Sequence, residues 1–309
     1  MLKLILNENM KLYSRVGQFI MIFILMGLSV FTSIYTYKTT PQSVGDWKVQ
    51  TEQKIQTATE LLNNPQIPNF QKSEVEKQLK LDKYALSHDI SPNTTVYEQV
   101  AKQASLLSII TMMTAVVAGG IVSNEYVWGT IKLLLIRPIS RSKILLSKYF
   151  ASLMFAFLLV IVLLATSFVT NGILYGFDNS DNPYLFIGPT GEVSQMSMVV
   201  HTLQTYLLKS VEIVIYLTLA FMLSVVFRSN ALAIGATLLL LLLGPQLTSM
   251  FAQQTWSKYI LFANTDLTMV TMGSNPFGLT LPFSLTVLGS YLLLFITISW
   301  ITFQKRDIA

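Results

Sequence analysis

Two charged residues in an otherwise apolar stretch are the first place where this chain could do chemistry. Lys209 and Glu212 are three positions apart, which places them on one face of a helix, where they can neutralise each other. An ionisable pair in a membrane-length segment is a candidate functional feature, because charge is costly in a bilayer. Two interpretations stay open: a structural or interfacial pair whose Lys reaches water at the helix end, and a polar patch beside a translocation path.

Catalysis and metal binding have little support in the sequence. The histidines His88 and His201 are far apart, and neither has an evident partner for general-base chemistry. The chain has no Cys, which excludes thiolate metal sites. It also lacks a G-x-x-x-x-G-K-[ST] phosphate loop, so we do not expect it to bind ATP in that way. We therefore expect no catalytic residue, metal site or cofactor in this chain.

Residues 124–148, with the sequence NEYVWGTIKLLLIRPISRSKILLSK, form the second candidate site. Their one carboxylate is Glu125, Gly129 permits a sharp turn, an apolar run follows at 131–136, and Pro138 ends it. The segment also carries the basic residues Lys132, Arg137, Arg141, Lys143 and Lys148. This pattern favours a short helix that rests on a soluble partner. A basic amphipathic connection that rests on lipid is the alternative.

The composition requires that these residues be positioned by membrane helices. Hydrophobic residues make up 52% of the chain and charged residues 12%, whereas soluble domains carry about a quarter charged residues. Long uncharged stretches match the roughly 20 residues that cross a bilayer. We predict an all-α polytopic membrane protein with spans at residues 16–37, 104–123, 149–176, 205–227, 229–251 and 282–303.

The distribution of basic residues predicts the orientation, because cytoplasmic loops are enriched in Lys and Arg. The outer short loops hold only Lys258, with Lys209 near an outer helix end. With both termini inside, the cytoplasmic side holds Lys3, Lys11, Arg15, Lys132, Arg137, Arg141, Lys143, Lys148, Arg228, Lys305 and Arg306. We therefore place the chain in the cytoplasmic membrane with both termini cytoplasmic. The net charge of +5 reflects this topology and does not indicate nucleic-acid binding.

The remaining segments are assigned by amphipathicity and by helix breakers. Residues 1–15 form an amphipathic interfacial helix on the inner leaflet. Residues 38–103 form an extracellular helical segment, 177–204 an outer loop, and 304–309 a cytoplasmic tail. Residues 252–281 are long yet mostly apolar, which predicts a re-entrant-like outer loop of short helices.

The segment between the second and third spans resembles the corresponding inner segment of type-2 ABC transporter permeases. The shared pattern is E-x-x-x-G-T-(I)-x-x-L-L-x-x-P-I-S-R-x-x-(I)-x-x-S-K. It is carried here by Glu125, Gly129, Thr130, Ile131, Leu134, Leu135, Pro138, Ile139, Ser140, Arg141, Ile144, Ser147 and Lys148. The layout of an interfacial helix, six spans and an apolar loop before the last span also agrees. The long segment after the first span occurs in only some such permeases.

The resemblance implies a coupling helix around residues 127–136 that docks on a separate ATP-binding subunit. Two copies of that subunit would bind ATP and Mg²⁺, and a second permease chain, identical or related, would complete the transporter. The implied activity is ATP-driven export of an amphipathic compound such as an antimicrobial peptide, a drug or a lipid-like molecule. The implied coupling residues are Glu125, Val127, Trp128, Gly129, Thr130, Ile131, Leu134, Leu135, Pro138 and Arg141.

A function of a different class also fits the sequence. The extracellular segment at residues 38–103 could bind a peptide without moving it, which would make the chain a membrane sensor or immunity protein. An ATPase that copurifies with the chain would favour the transporter.

Overall fold

Long apolar helices make up most of the structure, a computed structural model. It describes residues 1–39, 47–63, 69–91, 95–131, 139–177, 182–188, 191–271 and 275–305. Within these residues, six helical segments are long and apolar enough to cross a membrane: Val16–Thr39, Val96–Val127, Arg141–Tyr175, Met198–Phe227, Asn230–Ser249 and Leu281–Lys305. The prediction of a mostly helical chain is confirmed, and the six candidate membrane-spanning helices agree in number with the predicted spans. The orientation of its termini stays a prediction.

The helix bounds follow the apolar runs of the sequence. The helices are α1 (Leu2–Tyr13), α2 (Val16–Thr39), α3 (Trp47–Asn63), α4 (Asn69–Ser87), α5 (Val96–Gln103), α6 (Leu107–Ile121), α7 (Ser123–Val127), α8 (Arg141–Tyr175), α9 (Met198–Phe227), α10 (Asn230–Ser249), α11 (Leu267–Thr271) and α12 (Leu281–Lys305). Short 3-10 helices lie at Ala104–Leu106, Ser257–Tyr259 and Leu261–Ala263. The second span therefore comprises α5, a 3-10 turn, α6 and α7, and the others are single helices.

A β-hairpin in the region predicted as an outer loop is an exception to the all-α class. Strand β1 (Tyr184–Ile187) pairs antiparallel with β2 (Val193–Met196). Aromatic and β-branched residues favour these strands. Gly191, with φ of +77°, adopts in the connection a conformation that suits glycine.

The chain divides into two compact units. One comprises Met1–Ser29, Ala104–Thr166 and Tyr206–Ala309, and the other comprises Val30–Gln103 and Ser167–Thr205. The first unit has a core of buried side chains from α9, α10, α12 and the segment before α12: Ile215, Tyr216, Leu219, Leu241, Leu261, Leu267, Leu288 and Phe295.

The second unit joins α4 to the β-hairpin and α5 to the start of α9. The Gln195 amide donates to the Tyr84 hydroxyl at 3.3 Å. The Thr202 hydroxyl lies 3.0 Å from the Tyr97 carbonyl. These polar contacts hold the hairpin and helices of this unit together.

The segment between α10 and α12 forms short helices, as expected for residues 252–281. Asn264 organises it, because its amide donates to the carbonyls of Lys258 and Ile260, both at 2.9 Å. A Cβ atom at Gly244 of α10 would lie 2.7 Å from the Phe262 ring, so only glycine permits this close contact. The location of this segment in the outer leaflet stays a prediction.

Helix α1 is amphipathic in an unexpected way. Leu2, Leu6 and Met10, spaced four apart, are exposed, whereas Glu8 and Leu12 are buried against the protein. An exposed apolar stripe fits a helix that lies on a bilayer surface. The buried carboxylate points to a specific partner inside the protein.

Candidate functional site

Four charged side chains meet where α1, α7 and α8 come together. The Lys148 ammonium lies 2.8 Å from Glu8 Oε2 and 2.9 Å from Glu125 Oε1. Lys11 lies 2.8 Å from Glu8 Oε1 and 3.7 Å from Glu125 Oε1. We call Glu8, Lys11, Glu125 and Lys148 the Lys148 cluster. Its two ammonium groups balance its two carboxylates.

The Lys148 ammonium at the centre of this cluster is buried. The side chain of Lys148 is 1% exposed, and a buried ammonium is stable only when it is paired and hydrogen-bonded. Burial alone would raise the pKa of Glu8, but the charge of Lys148 and hydrogen bonds from Lys11 and Lys148 hold that pKa below its ordinary value. Removing one member would therefore leave a buried charge without compensation.

The Lys148 cluster holds the first half of the predicted coupling segment. Helix α7 ends at Val127, and Gly129 has a φ of +70° and donates its N–H to the Tyr126 carbonyl at 3.2 Å. The Thr130 hydroxyl donates to the Glu125 carboxylate, which closes the turn onto the cluster. The sharp turn predicted at Gly129 is present in the structure.

Two cation–π contacts add to this positioning. The Arg15 guanidinium lies 4.8 Å from the centroid of the Trp128 ring, and that of Arg228 lies 4.8 Å from the Tyr126 ring. Val127 and Trp128 nevertheless remain 63% and 58% exposed. The turn thus exposes two apolar side chains, and the ion pairs of the Lys148 cluster hold its backbone in place.

The cluster also connects to the fourth span. The backbone N–H of Ser123, the first residue of α7, donates to Ser224 Oγ of α9 at 2.9 Å, and both side chains are buried. Gly119 allows close packing on α10, because a Cβ there would lie 2.9 Å from Ile234. The turn is therefore connected by direct contacts to α1, α8 and α9.

The predicted coupling residues fall into three groups: the anchored turn with Ile131, residues outside the described ranges, and Arg141. Glu125, Val127, Trp128, Gly129 and Thr130 form the anchored turn, and Ile131 is buried directly after it. Leu134, Leu135 and Pro138 lie outside the described residues.

Arg141, the last predicted coupling residue, lies at the start of α8. Its guanidinium donates to the Gln304 carbonyl at 3.0 Å, near the end of α12. The neighbouring Ser142 hydroxyl contacts Gln304 Nε2 at 2.6 Å and Trp300 Nε1 at 3.0 Å. Arg141 therefore joins the third span to the sixth and is not part of the Lys148 cluster.

Sequence reasoning missed Glu8 and Lys11 as parts of this site. The amphipathic pattern of residues 1–15 did not single out Glu8, whereas the structure buries it against α8. A weak signal was available, because Glu8 is the one carboxylate in the basic residues 1–15. The distance of 140 positions between Glu8 and Lys148 hid the pairing.

The predicted charged pair, Lys209 and Glu212, is joined by a third charged residue, Asp266. The Lys209 ammonium lies 3.8 Å from Asp266 Oδ2, in the segment before α11. Asp266 Oδ1 also accepts the backbone N–H groups of Thr268 at 3.0 Å and Met269 at 3.3 Å. Glu212 lies within electrostatic reach of both Lys209 and Asp266. We call Lys209, Glu212 and Asp266 the Lys209 cluster.

The two histidines stack on tyrosines. His88 lies over Tyr84 with ring centroids 3.9 Å apart, and His201 lies over Tyr184 at 3.5 Å. Within the described ranges, no three His, Asp or Glu side chains are grouped as metal ligands.

Six membrane-length helices, and a buried ion cluster that joins the second and third of them to α1, define a polytopic helical membrane protein. The chain belongs to DUF2705, a family described as a protein of unknown function, which matches residues 70–309. It is similar to the uncharacterized protein YhcI of Bacillus subtilis (strain 168), with 38% identity over 318 aligned positions that cover all of both chains. It also resembles the uncharacterized membrane protein YdbK of the same strain, with 30% identity over 208 positions, 66% of this chain and 80% of YdbK. No solved structure matches the chain.

Proposed function

We propose that this chain is the permease subunit of an ABC transporter that exports an amphipathic compound. The proposal rests on the anchored turn between the second and third spans, where Val127 and Trp128 project from the Lys148 cluster. An exposed apolar pair on a rigid base is suited to docking on a soluble partner, because ordering the surface costs little when it binds. The partner is a separate ATP-binding subunit, which holds ATP and Mg²⁺.

The contacts around the turn support a route for force. A push on Trp128 reaches Glu125 through one turn of backbone, and the Lys148 cluster passes it to α1 and α8. The contact between Ser123 and Ser224 passes it to α9. Two ATP-binding subunits and two permease chains, identical or related, would then open a path in the membrane between the permeases.

Copurification tests this function. The chain is purified from its native membrane, the bound proteins are identified by mass spectrometry, and ATP hydrolysis is measured. We expect an ATP-binding subunit to copurify with the unchanged chain and to be absent from the Trp128→Ala preparation. Trp256→Ala is the matched control, because Trp256 is 52% exposed and lies in the loop at residues 252–281, which is predicted to be on the outer side of the membrane. The proposal fails if no ATP-binding subunit is present, or if both variants retain it equally.

Thiol labelling tests the predicted orientation. The chain has no native Cys, so a single introduced Cys gives no background. In intact cells, a membrane-impermeant maleimide should label Glu192→Cys and leave Trp128→Cys unlabelled until the cells are opened. Labelling of Trp128→Cys from outside would contradict the docking of a cytoplasmic ATPase.

The second unit supports the alternative of a membrane sensor or immunity protein. It contains α3, α4 and the β-hairpin, tied by the contact between Tyr84 and Gln195, and could present a surface to a peptide. Deletion of residues 46–87 separates the two functions. For the transporter we expect altered substrate handling with ATPase binding intact. Loss of ATPase binding on this deletion would contradict the assignment of the coupling turn.

A further inference from the structure

A buried hydroxyl without a hydrogen bond lies beside the Lys209 cluster. Tyr216 is fully buried, and its Oη has no hydrogen-bond partner among the described residues. Glu212 and the Thr265 hydroxyl are its polar neighbours. Thr265 interacts with it outside normal hydrogen-bond geometry and donates its own hydrogen to the Phe262 carbonyl at 3.2 Å. A buried hydroxyl without a partner costs free energy unless a bound group completes its hydrogen bonds.

Helix geometry brings this hydroxyl to the same face as the charges. Lys209, Glu212 and Tyr216 are spaced by three and four residues on α9, so they share one face of the helix. The segment with Phe262 and Asp266 covers this face. The Tyr216 and Phe262 rings stack at 6.2 Å, and Asp266 contacts Lys209.

The Lys209 cluster is short of one positive charge. It contains two carboxylates, Glu212 and Asp266, and one ammonium, which lies a loose 3.8 Å from Asp266 Oδ2. The nearby Lys258 does not supply the missing charge, because its ammonium lies over the rings of Tyr259 at 5.2 Å and Phe283 at 5.9 Å. A net negative charge in a membrane-length helix needs a compensating cation or a proton.

The segment that carries Asp266 is already organised. Asp266 Oδ1 accepts two backbone N–H groups and the Thr268 hydroxyl, which leaves Oδ2 for the cation. Asn264 fixes the preceding 3-10 turns through two backbone carbonyls. The oxygen atoms of the site therefore need little rearrangement to bind a ligand.

From this geometry we propose that Glu212, Asp266 and Tyr216 form a binding site for the protonated amine of an amphipathic ligand. Lys209 fills the site loosely as a tethered ammonium when no ligand is bound. The carboxylates attract the cation, and the Tyr216 oxygen accepts one of its N–H groups. The adjoining apolar residues of α9 and α12 contact the ligand's tail. The inference deepens the proposed function. It rests on that function only where it identifies the ligand as the exported compound.

Binding of octylammonium tests the site directly. The full chain is purified into lipid nanodiscs and titrated calorimetrically with octylammonium and with 1-octanol, its neutral counterpart. We expect saturable binding of octylammonium and only partitioning of 1-octanol. Glu212→Gln and Asp266→Asn should each weaken binding by about ten- to a hundredfold, the range for a hydrogen bond to a charged group. Glu192→Gln, an exposed carboxylate on the β-hairpin connection, is the control and should bind as the unchanged chain does.

A gain of affinity gives the sharpest test. Lys209→Met removes the tethered competitor and should tighten octylammonium binding by about tenfold, on the scale of one charged contact. Tyr216→Phe keeps the ring on Phe262 and removes one acceptor of the charged amine, so it should weaken binding by about tenfold, the lower end for a hydrogen bond to a charged group. Size-exclusion chromatography establishes that each variant is folded, and Tyr216→Phe remains informative if a charge variant is not.

Three results would overturn the site. They are equal binding of octylammonium and 1-octanol, binding unaffected by Glu212→Gln and Asp266→Asn, and no gain from Lys209→Met. If Lys209→Met gave no gain and octylammonium did not bind saturably, the charge of Glu212 would be compensated by a proton and not by a bound amine. Because this titration needs no ATPase, octylammonium binding without a copurifying ATP-binding subunit would keep the site and reject the proposed transporter.

Discussion

The Lys148 cluster and the Lys209 cluster are both charged groups in apolar surroundings, but they are built in opposite ways. Lys148 is fully buried, its contacts are 2.8 and 2.9 Å, and the cluster's charges balance. Lys209 is partly exposed, its contact is 3.8 Å, and one ammonium faces two carboxylates. Complete pairing suits a junction that must stay closed, and incomplete pairing suits a site that must accept a cation.

Helix α9 carries residues of the Lys209 cluster and also contacts α7, which holds Glu125 of the Lys148 cluster. Glu212 lies twelve positions before Ser224, which contacts α7, so about 18 Å of helix separates the Lys209 cluster from this contact at 1.5 Å per residue. One helix thus carries the proposed ligand site toward one end and a contact with the coupling turn toward the other. On the proposed function, a push on the turn would act on the same helix that carries the proposed ligand site.

The largest expected effect comes from Lys148→Met. The change leaves Glu8 and Glu125 with Lys11 alone, and breaking a buried ion pair costs about 3–5 kcal/mol of unfolding free energy. Thermal unfolding in nanodiscs should show a large fall in midpoint. Lys143→Met, an exposed Lys on the same helix, is the control and should change little.

A triple variant sharpens this test. Glu8→Gln, Glu125→Gln and Lys148→Met together remove the buried charges, so part of the lost stability should return. A triple variant as unstable as the sum of its single changes would show that charge pairing is not what holds the junction.

The next effect concerns the turn that the Lys148 cluster anchors. Gly129→Ala places a side chain at a φ of +70°, which costs about 1–2 kcal/mol or forces the turn to change shape. We expect weaker copurification of the ATP-binding subunit, with the six spans intact by circular dichroism. Gly235→Ala is the control, because a Cβ at that helical position meets open space. Equal ATPase recovery from both variants would remove the turn from the docking surface.

A smaller effect is expected from Lys209→Met. A loose, partly exposed ion pair contributes about 0–1 kcal/mol, so the unfolding midpoint should shift far less than in Lys148→Met. Both variants are measured in the same nanodiscs. If the two midpoints fell equally, the contrast between a closed junction and an open site would be lost.

The smallest effect is the pH dependence of the Lys148 cluster. Since the pKa of Glu8 in the folded chain lies below its ordinary value of 4.5, its contribution to stability is complete above that value and is lost as the pH falls through the lowered pKa. The difference in unfolding midpoint between the unchanged chain and Glu8→Gln should therefore stay constant near neutral pH and shrink only in acid. A difference that changed between pH 6 and pH 8 would show that another group titrates.

Part of the candidate site could be predicted from local sequence. The exposed turn at Val127 and Trp128 follows from Gly129, and the shared face of Lys209 and Glu212 follows from their spacing. Glu8 could not be assigned, because its neighbours on α1 fit an ordinary amphipathic helix equally well. Asp266 looked like a loop residue, because the packing of its segment against α9 leaves no periodic trace.

The sequence by itself determined the six spans, because hydropathy and helix rise are local properties of the chain. It also indicated the turn at Gly129, because glycine adopts a positive φ without steric cost. Only the tertiary structure decided that Glu8 meets Lys148 across 140 positions and that Lys209 meets Asp266. The physical reason is that a charge in an apolar interior must be paired, but its choice of partner depends on which helices pack together.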